Sequence, residues 1–484
     1  MIKTNKRSAI SIVFMLCFTM SMLAHAQITY QTVFSFDGTD GIGPSYMVFV
    51  QGTDGNFYGT TQKGGEMGCG TVFSATSTGA ETVLHNFCSQ NDDGENPYAG
   101  LVQASDGNFY GSTLGGGNGT GCGSEGCGTL FRVTPSGALT TLYNFCVQGA
   151  PCTDGDQPVS ALVQGVDGKL YGTTQGGGGP LNGGTIFTLT LEGTLTTLYR
   201  FCVQQGCPDG QEPFSLFQWA DGSFYGVTVV GGRNGQGTVF KLTPGGTLTT
   251  LYSFCSQPGC SDGGFPYGLT MGADGNFYGA TQGGGTDEQK GTLFKVNPKG
   301  TLITLHVFCT NPGRNGGCPD GANPVAAPTL GSDGYYFGMT PGSGDNSSIY
   351  GITPTGLFKK LYQYQFPSAG GSAGLIQGTN GLFYGTTGPD SAGGQGTVFS
   401  LDVNLGPFIK TQPGGGPVGA QITIIGTNLT SATGVSFNGT PSAFTVVSAS
   451  EITTTVPSGA KTGRVQVTTQ AGTLTSNLPF VVGR

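Results

Sequence analysis

An eight-residue pattern that occurs seven times along the chain limits its fold more than any other feature. The first copy is at residues 54–61 and reads Asp-Gly-Asn-Phe-Tyr-Gly-Thr-Thr. Its fifth position is aromatic in every copy: Tyr58, Tyr110, Tyr171, Tyr225, Tyr278, Phe337 and Tyr384. The copies are therefore spaced by 52, 61, 54, 53, 59 and 47 residues. A period close to fifty residues predicts stacked supersecondary units.

Each repeat contains the signals of four short strands. In the second repeat, an apolar segment at residues 99–105 is followed by an Asp-Gly turn and a second strand at residues 108–113. A glycine-rich connection leads to residues 128–133, and a Pro-Ser-Gly turn precedes residues 139–145. Because seven such units follow one another without helical periodicity, the sequence predicts an all-β, seven-bladed β-propeller.

The two ends of the repeat region complement each other. The last repeat stops after the strand that contains Phe399, so it lacks the fourth strand of the other repeats. Residues 29–36 have the sequence of that missing strand and are followed by Asp40-Gly41. We therefore expect the N-terminal strand to close the last blade, which removes the unpaired edges of the sheets.

Residues 1–26 have the composition of a secretory signal peptide. Lys3, Lys6 and Arg7 precede an apolar run, and Ala24-His25-Ala26 is a small-x-small cleavage site. No later segment approaches the roughly 20 apolar residues that a membrane helix needs. The sequence thus predicts a protein that is secreted, or held at the cell surface or in the periplasm, without insertion into a membrane.

The composition excludes some partners and supports a folded chain. Without residues 1–26 the chain has 16 basic and 27 acidic residues, a formal charge of −11, which argues against nucleic acid as a partner. Glycine and proline account for 91 and 26 of the 484 residues, close to the content of low-complexity chains. However, aromatic and aliphatic residues return at fixed positions in each repeat, and this supplies the apolar surface that disordered chains lack.

The twelve cysteines that follow residue 26 predict six disulfides, because an even count is typical of exported chains. Four pairs share one loop, Phe-Cys, a short spacer and Cys-x-Asp-Gly: Cys146–Cys152, Cys202–Cys207, Cys255–Cys260 and Cys309–Cys318. Cys69 is expected to pair with Cys88 across a hairpin, and Cys122 with Cys127 in a glycine-rich loop. Zinc is the alternative for this last pair, but zinc needs four ligands and no histidine lies nearby.

Residues 405–484 lack the repeat and are predicted to form a second domain, a β-sandwich of short alternating strands. Four segments resemble the IPT/TIG family of immunoglobulin-like domains: Gly426-Thr427-Asn428-Leu429, Val435-Ser436-Phe437-Asn438-Gly439, Val456-Pro457 and Gly463-Arg464-Val465-Gln466-Val467. The repeats, within a first domain at residues 27–404, resemble the GloVer repeat of predicted exported bacterial proteins. Neither resemblance implies an established activity.

A loop with the sequence Asp-Gly-x-x-Pro, or a close variant, recurs in six repeats. Its acidic residues are Asp40, Asp93, Asp154, Asp209, Asp262 and Asp320. The strand order places these loops on one face with the glycine-rich connections, so the carboxylates are candidates for binding calcium or sugar hydroxyls. Asp92, Asp93 and Glu95 form the densest acidic cluster and are the calcium candidates, and no other cofactor is predicted. The structural alternative is that each Asp caps its own turn.

Trp219 is the only tryptophan and stands where the other repeats have glycine or alanine, near the expected mouth of the central channel. It either stacks on a sugar ring or fills a gap beside smaller neighbours. A glutamine precedes this position in five repeats: Gln51, Gln103, Gln164, Gln218 and Gln377. These amides are predicted to line the channel, with water or backbone groups as their ordinary partners.

Catalytic residues are hard to find in this sequence. His85 and His306 occupy a fourth-strand position that holds tyrosine in other repeats, which predicts a role in packing. Asp287-Glu288 remains as a possible carboxylate pair for hydrolysis. The sequence therefore favours a non-enzymatic, exported binding or adhesion protein that uses one face of the propeller to bind a glycan or a surface protein. The alternatives are a structural envelope or matrix protein without a small ligand, and a carbohydrate-active lyase or hydrolase.

Overall fold

The computed structural model describes residues 28–44, 48–90, 92–219, 221–285, 289–313, 316–341, 347–363, 374–389 and 393–483. The predicted signal peptide at residues 1–26 and the pair Asp287-Glu288 lie outside these residues. The described chain is all-β, with short 3-10 turns at Gly123–Glu125, Pro258–Cys260 and Leu429–Ser431. None of its helices has the length and apolar character to cross a membrane.

Seven four-stranded antiparallel sheets make up the described repeat region, and their strands follow the sequence prediction closely. The first strands in chain order are β1 (Thr29–Ser35), β2 (Val50–Gln51), β3 (Phe57–Thr61), β4 (Thr71–Ala75), β5 (Glu81–Asn86), β6 (Gly94–Glu95), β7 (Val102–Gln103), β8 (Phe109–Thr113), β9 (Gly115–Gly116), β10 (Thr129–Val133) and β11 (Leu139–Asn144). The next are β12 (Val163–Gln164), β13 (Leu170–Thr174), β14 (Thr185–Leu189), β15 (Leu195–Arg200), β16 (Gln211–Gln218), β17 (Phe224–Val230), β18 (Thr238–Leu242) and β19 (Leu248–Ser253). The repeat region ends with β20 (Gly264–Met271), β21 (Phe277–Gly283), β22 (Thr292–Val296), β23 (Leu302–Val307), β24 (Thr329–Leu330), β25 (Tyr336–Thr340), β26 (Ser348–Ile352), β27 (Phe358–Tyr362), β28 (Ile376–Gln377), β29 (Phe383–Thr387) and β30 (Thr397–Asp402).

Within a sheet the strands are neighbours in chain order, from β2-β3-β4-β5 in sheet 1 to β24-β25-β26-β27 in sheet 6, while β6 pairs separately with β9. Sheet 7 has the order β28-β29-β30-β1, because β1 pairs antiparallel with β30. The pairing runs from Thr29 opposite Asp402 to Ser35 opposite Thr397. The N-terminal strand therefore supplies the fourth strand of the last sheet, as its sequence predicts.

The sheets surround a central cavity of 280 Å³. Each sheet contributes residues in or next to its first strand: Val48, Gly100, Val163, Leu216, Leu269, Thr329 and Leu375, in the order of the sheets. Consecutive sheets pack through aromatic side chains of their second strands, as where the ring centroids of Tyr58 and Phe109 lie 3.9 Å apart. Tyr384 of the last sheet packs in the same way against Phe57 of the first, at 4.2 Å. The arrangement is propeller-like.

The repeated Asp-Gly turn is held by its aspartate. In sheet 1, Asp54 Oδ1 accepts the backbone N–H of Asn56 at 3.1 Å, and Asp54 Oδ2 accepts the hydroxyl of Tyr58 at 2.8 Å. The pairs Asp106–Tyr110 and Asp274–Tyr278 repeat the second bond at 2.8 Å. Gly55 has φ +87°, a left-handed conformation that favours glycine. One carboxylate thus closes the turn and fixes the aromatic ring that packs on the next sheet.

The C-terminal domain is a sandwich of two four-stranded sheets, β31-β33-β37-β36 and β35-β34-β38-β39, with β32 parallel to β40. Its strands are β31 (Lys410–Gln412), β32 (Gly415–Pro417), β33 (Gln421–Ile425), β34 (Ala432–Phe437), β35 (Thr440–Ser442), β36 (Phe444–Val446), β37 (Glu451–Thr455), β38 (Val465–Thr469), β39 (Gly472–Thr475) and β40 (Val481–Gly483). Ile424, Phe437, Val465 and Val467 are buried between the sheets. The apolar residues of the alternating strands thus form this core.

The C-terminal domain packs on one face of the repeat region, here called the turn face. This face carries the Asp-Gly turns that join the first and second strands of the sheets, such as residues 54–55. Ser450 Oγ donates to the carbonyl of Thr53 at 2.7 Å, and Asn477 Nδ2 donates to the carbonyl of Leu330 at 3.1 Å. The disulfide loops, such as residues 146–154, and the glycine-rich connections lie at the other ends of the strands, on the loop face. The two faces therefore have different surroundings.

Deletion of residues 27–36 should strongly destabilise the repeat region. The deletion removes the β1–β30 pairing and the buried Phe36 side chain, together worth on the order of 5 kcal/mol or more. We expect a clear fall in the unfolding temperature relative to residues 27–484, measured by circular dichroism. An unchanged melting curve would contradict the role of β1.

The Tyr110→Phe variant should lower the free energy of unfolding by about 1–3 kcal/mol, because Asp106 then loses a hydrogen bond from a buried hydroxyl. Tyr335→Phe is the matched control. Tyr335 is 48% exposed and lies next to the corresponding Asp-Gly turn of sheet 6. Chemical denaturation of both variants measures the difference. Equal midpoints would show that the tyrosine–aspartate bond adds no stability.

Candidate ligand-binding site

The aspartates of the loop face, which the sequence marks as ligand candidates, are hydrogen-bonded within their own loops. Asp154 Oδ2 accepts the hydroxyl of Tyr143 at 2.9 Å and the backbone N–H of Cys146 at 3.0 Å. Asp209 and Asp262 make the corresponding bonds, with Tyr199 at 2.9 Å and Tyr252 at 2.7 Å. Asp40 differs, since its Oδ1 accepts the backbone N–H of Asp37 at 2.9 Å. These are the contacts of turn caps.

The two described histidines take the place of tyrosine in this scheme. His85 Nε2 lies 3.0 Å from Asp93 Oδ2, and His306 Nε2 lies 2.9 Å from Asp320 Oδ2. Asp320 also accepts the backbone N–H of Cys309 at 3.1 Å. Each histidine therefore bonds the aspartate of its own loop, and these contacts have the form of a turn cap.

The predicted calcium ligands Asp92, Asp93 and Glu95 do not form a convergent set. Among the described residues, two groups of three or more possible ligands have their ligand atoms within 4.8 Å of one another, and both contain cysteines. Asp93 is buried with Oδ2 on His85, whereas Asp92 is exposed. Glu95 lies beside the Cys69–Cys88 disulfide, where burial and then Glu125 raise the pKa of its carboxyl.

Among the described residues, six disulfides join the same cysteines as the sequence predicts. They are Cys69–Cys88, Cys122–Cys127, Cys146–Cys152, Cys202–Cys207, Cys255–Cys260 and Cys309–Cys318. Two of them are neighbours, because Cys122 Sγ lies 3.9 Å from Cys152 Sγ. The four sulfur atoms of these two disulfides have the proximity of a zinc site, although zinc would bind the thiolates and not the disulfides.

The five glutamines of the first strands connect neighbouring sheets. Gln103 Nε2 donates to the carbonyl of Gly107 in its own turn at 3.0 Å, and its Oε1 accepts the backbone N–H of Thr53 in the preceding sheet at 3.0 Å. Gln51 bonds Thr379 N–H in the same way, again at 3.0 Å, and so joins the first sheet to the last. Gln164, Gln218 and Gln377 repeat the bridge. The predicted polar ring is therefore satisfied by backbone groups.

Sheets 5 and 6 lack this bridge, because Met271 and Leu330 occupy the glutamine position. A cavity of 430 Å³ lies between the C-terminal domain and the first strands of sheets 3 to 5, and we call it the interdomain cavity. Phe217, Trp219, Leu269 and Met271 form its apolar wall on the repeat side. The polar groups of the lining are Gln164, Gln218, Lys410, Thr411, Ser476 and Asn477. The cavity thus includes the position in sheet 5 where Met271 replaces the glutamine.

Trp219 is a wall of this cavity and also packs in the core. Its ring lies 5.9 Å from Phe277 of sheet 5 in an edge-to-face arrangement, and the side chain is partly buried. At Gly52 and Gly272, which occupy the same position in other sheets, a Cβ atom would lie 2.6–2.8 Å from the tyrosine ring of the sheet. Sheet 4 accommodates Trp219, and its Tyr225–Asp221 bond is 3.3 Å long. Gap filling and ligand contact are therefore compatible.

Lys410 brings a positive charge to the cavity from the C-terminal domain. Its Nζ donates to the carbonyl of Gln377 at 2.5 Å and lies 5.7 Å from the centre of the Phe408 ring. Burial lowers the pKa of Lys410 to about 8. Part of the side chain remains accessible, because it lines the interdomain cavity. An ammonium group in these surroundings is a strong site for an anionic group.

The sequence marked Trp219 as a candidate but did not mark Met271, Leu330 or Lys410, which lie in or next to the cavity lining. The signal for Met271 and Leu330 was present, since both depart from a glutamine that five other repeats keep. Lys410 gave no such signal, because it lies outside the repeats and has the pattern of an ordinary strand residue. Its position depends on how the two domains meet.

Profiles of known families match both the repeat region and the C-terminal domain. The profile of the Gloeobacter/Verrucomicrobia repeat matches residues 19–151 and 120–319, more than half of the sequence. The chain belongs to the Gloeobacter/Verrucomicrobia repeat family. The IPT/TIG domain profile matches residues 409–482, so the C-terminal sandwich is a TIG domain. No curated protein matches this member of the repeat family.

Two solved structures are similar to this chain at low sequence identity. A fungal alcohol oxidase of the AA5 family, in complex with copper, has a TM-score of 0.51 and 14% identity over 94% of this chain and 99% of its own. The extracellular domain of a putative one-component system from B. thetaiotaomicron has a TM-score of 0.49 and 11% identity, over 94% of this chain and 57% of its own. At these identities the likeness concerns the fold alone.

The described lining of the interdomain cavity does not fit the copper of that oxidase. The described lining of the interdomain cavity contains no histidine, cysteine, tyrosine or carboxylate. His85 and His306 are instead bonded to aspartates of the loop face. Imidazole and thiolate are the usual ligands of protein-bound copper, so we assign no metal to this cavity.

A thiol titration separates the disulfide and zinc interpretations of Cys122, Cys127, Cys146 and Cys152. We expect no free thiol among the twelve cysteines of the mature protein when it is denatured without a reductant. Four free thiols with one equivalent of zinc, measured by mass spectrometry of the metal, would contradict the two disulfides. Protein reduced and re-oxidised in the presence of a chelator is the control.

Proposed function

We propose that this chain is an exported, non-enzymatic binding protein that takes up a glycan in the interdomain cavity. This proposal rests on one observation, that the cavity lies where the repeated sequence pattern changes. Met271 replaces the bridging glutamine and Trp219 replaces a small residue in the lining of this cavity, while Leu330, the second replacement, bonds Asn477 of the lining through its carbonyl. A scaffold that only had to be rigid would gain from the bridge in every sheet, so its loss here supports recognition.

The chemistry of the lining suits a sugar. Trp219 and Phe217 offer aromatic surface, while Gln164, Gln218 and Asn477 offer amide donors and acceptors. Apolar ring faces with a few placed polar groups are typical of ligand sites, and the volume of 430 Å³ lies in the usual range of roughly 300–1,000 Å³. Lys410 is the one titratable side chain in the described lining and has no carboxylate beside it there, which supports binding rather than glycoside hydrolysis, since that reaction uses a pair of carboxylates.

The same proposal includes the finer architecture and the location of the protein. We take the seven sheets as the blades of one closed, seven-bladed propeller at residues 27–404, with the TIG domain at residues 405–484. Six disulfides favour an oxidising compartment. Residues 1–26 would direct export and then be removed. A surface protein as partner, or a purely structural role, becomes the interpretation if no glycan binds.

The fluorescence of Trp219 tests this proposal directly, because Trp219 is the only tryptophan of the chain. Oligosaccharides that enter the cavity should change its emission, and the mature protein should be retained on the corresponding polymer with or without a calcium chelator. Trp219→Ala should weaken binding about tenfold, the effect of losing roughly 1–2 kcal/mol of ring contact.

Tyr335→Ala is the control for a general loss of aromatic surface, since Tyr335 is exposed and does not line the cavity. It should bind like the unaltered protein. Unchanged emission with every oligosaccharide, together with no retention on any polymer, would reject glycan binding.

A further inference from the structure

Lys410 is the one charged residue in the described linings of two cavities. The segment that begins with Lys410 lines the interdomain cavity and also a second cavity of 430 Å³. Lys410, Thr411, Pro413 and Gly414 line both. Neither described lining contains an aspartate or glutamate. In a chain with more acidic than basic residues, this site has the opposite charge to the protein as a whole.

The ammonium group of Lys410 has no counter-ion among the described residues. The ion pairs of the described chain are His85–Asp93, Lys241–Asp221 and His306–Asp320. Lys410 Nζ donates to the carbonyl of Gln377, and an ammonium group has three N–H bonds in all. Two donors of a buried cation therefore remain for a ligand, and an unpaired buried charge is unfavourable until a ligand neutralises it.

The other residues that line the interdomain cavity determine which uncharged part of a ligand fits there. Trp219 and Met271 are apolar, and Gln218 and Asn477 are neutral amides, so the lining offers one positive charge on an otherwise uncharged surface. One ammonium group balances a singly charged carboxylate, whereas a phosphate dianion would keep a buried negative charge. An aromatic ring beside amides suits the faces and hydroxyls of a sugar ring.

We propose that the interdomain cavity binds a sugar acid, whose carboxylate pairs with Lys410 Nζ while its ring packs against Trp219. This inference rests on the proposed function and names the ligand class of the same site. The net negative charge of the protein does not prevent such binding, because exposed charges are screened over about 8–10 Å at physiological salt. The buried pair is screened much less.

Matched ligands test the charge without altering the protein. Short oligomers of galacturonate, mannuronate and glucuronate are compared with their methyl esters, which keep the ring and its size but remove the negative charge. Calorimetry and Trp219 emission report binding to the mature protein, residues 27–484. We expect at least one acid to bind, and its ester to bind tenfold or more weakly.

Lys410→Met and Lys410→Gln test the assigned residue. Both should reduce affinity for the acid tenfold or more and leave the weak affinity for the ester unchanged. Neither should lower the unfolding temperature much, because each removes an unpaired buried cation and the Gln side chain retains a donor for the Gln377 carbonyl. Lys461→Met is the matched control, since Lys461 is exposed in the same domain.

Four results would overturn the inference. Esters that bind as tightly as the acids, or Lys410 variants that keep the affinity for the acid, reject the carboxylate pairing and leave glycan binding in place. Retention of neutral polymers alone does the same. Failure of acids, esters and all polymers to bind rejects both the sugar acid and the proposed function.

Discussion

The structure depends on the contact between each sheet and the next, because aromatic residues of the second strands are buried there. Strands such as β3 are buried along their whole length, between neighbouring sheets. The tyrosine of one sheet packs on the second strand of the next, and a glutamine bonds its own turn and the backbone of the preceding sheet. These contacts bring the last sheet against the first at Tyr384–Phe57 and at Gln51–Thr379. Loss of one contact should therefore weaken two sheets, as in other repeat architectures.

Where the glutamine bridge is missing, the TIG domain supplies other contacts. Asn477 Nδ2 bonds the carbonyl of Leu330, and Leu478 packs against the cluster that contains Leu330. Between sheets 4 and 5, the edge of Trp219 packs on Phe277. The same sector therefore docks the second domain and forms the wall of the cavity. Movement of the TIG domain would change the cavity directly, so ligand affinity and domain docking should be coupled.

Local signals in the sequence predicted the strands and the cysteine pairs, and long-range contacts could not be predicted in this way. An Asp-Gly pair between apolar segments specifies a hairpin within a few residues, and the loop spacing of Cys202 and Cys207 brings them together. Ser450, in contrast, bonds the carbonyl of Thr53 across 397 residues. No periodicity within either segment encodes that contact, since it depends on two folded surfaces. For this reason the interdomain cavity emerged only from the structure, although Trp219 had marked one of its walls.

Lys410 is hard to explain by folding alone. A neutral donor such as glutamine would also bond the carbonyl of Gln377, so the contact does not require a charge. Burial lowers the pKa of Lys410 to about 8, below its ordinary value, so below that pH the folded protein holds a cation that would be more stable in water. The unfolded chain keeps its proton to higher pH, so this residue destabilises the fold less as the pH rises above 8. A bound carboxylate would remove this penalty at neutral pH, because it makes the charged form the favourable one. A function in binding an anion would thus explain why the protein has Lys410 at this position despite its energetic cost in the free protein.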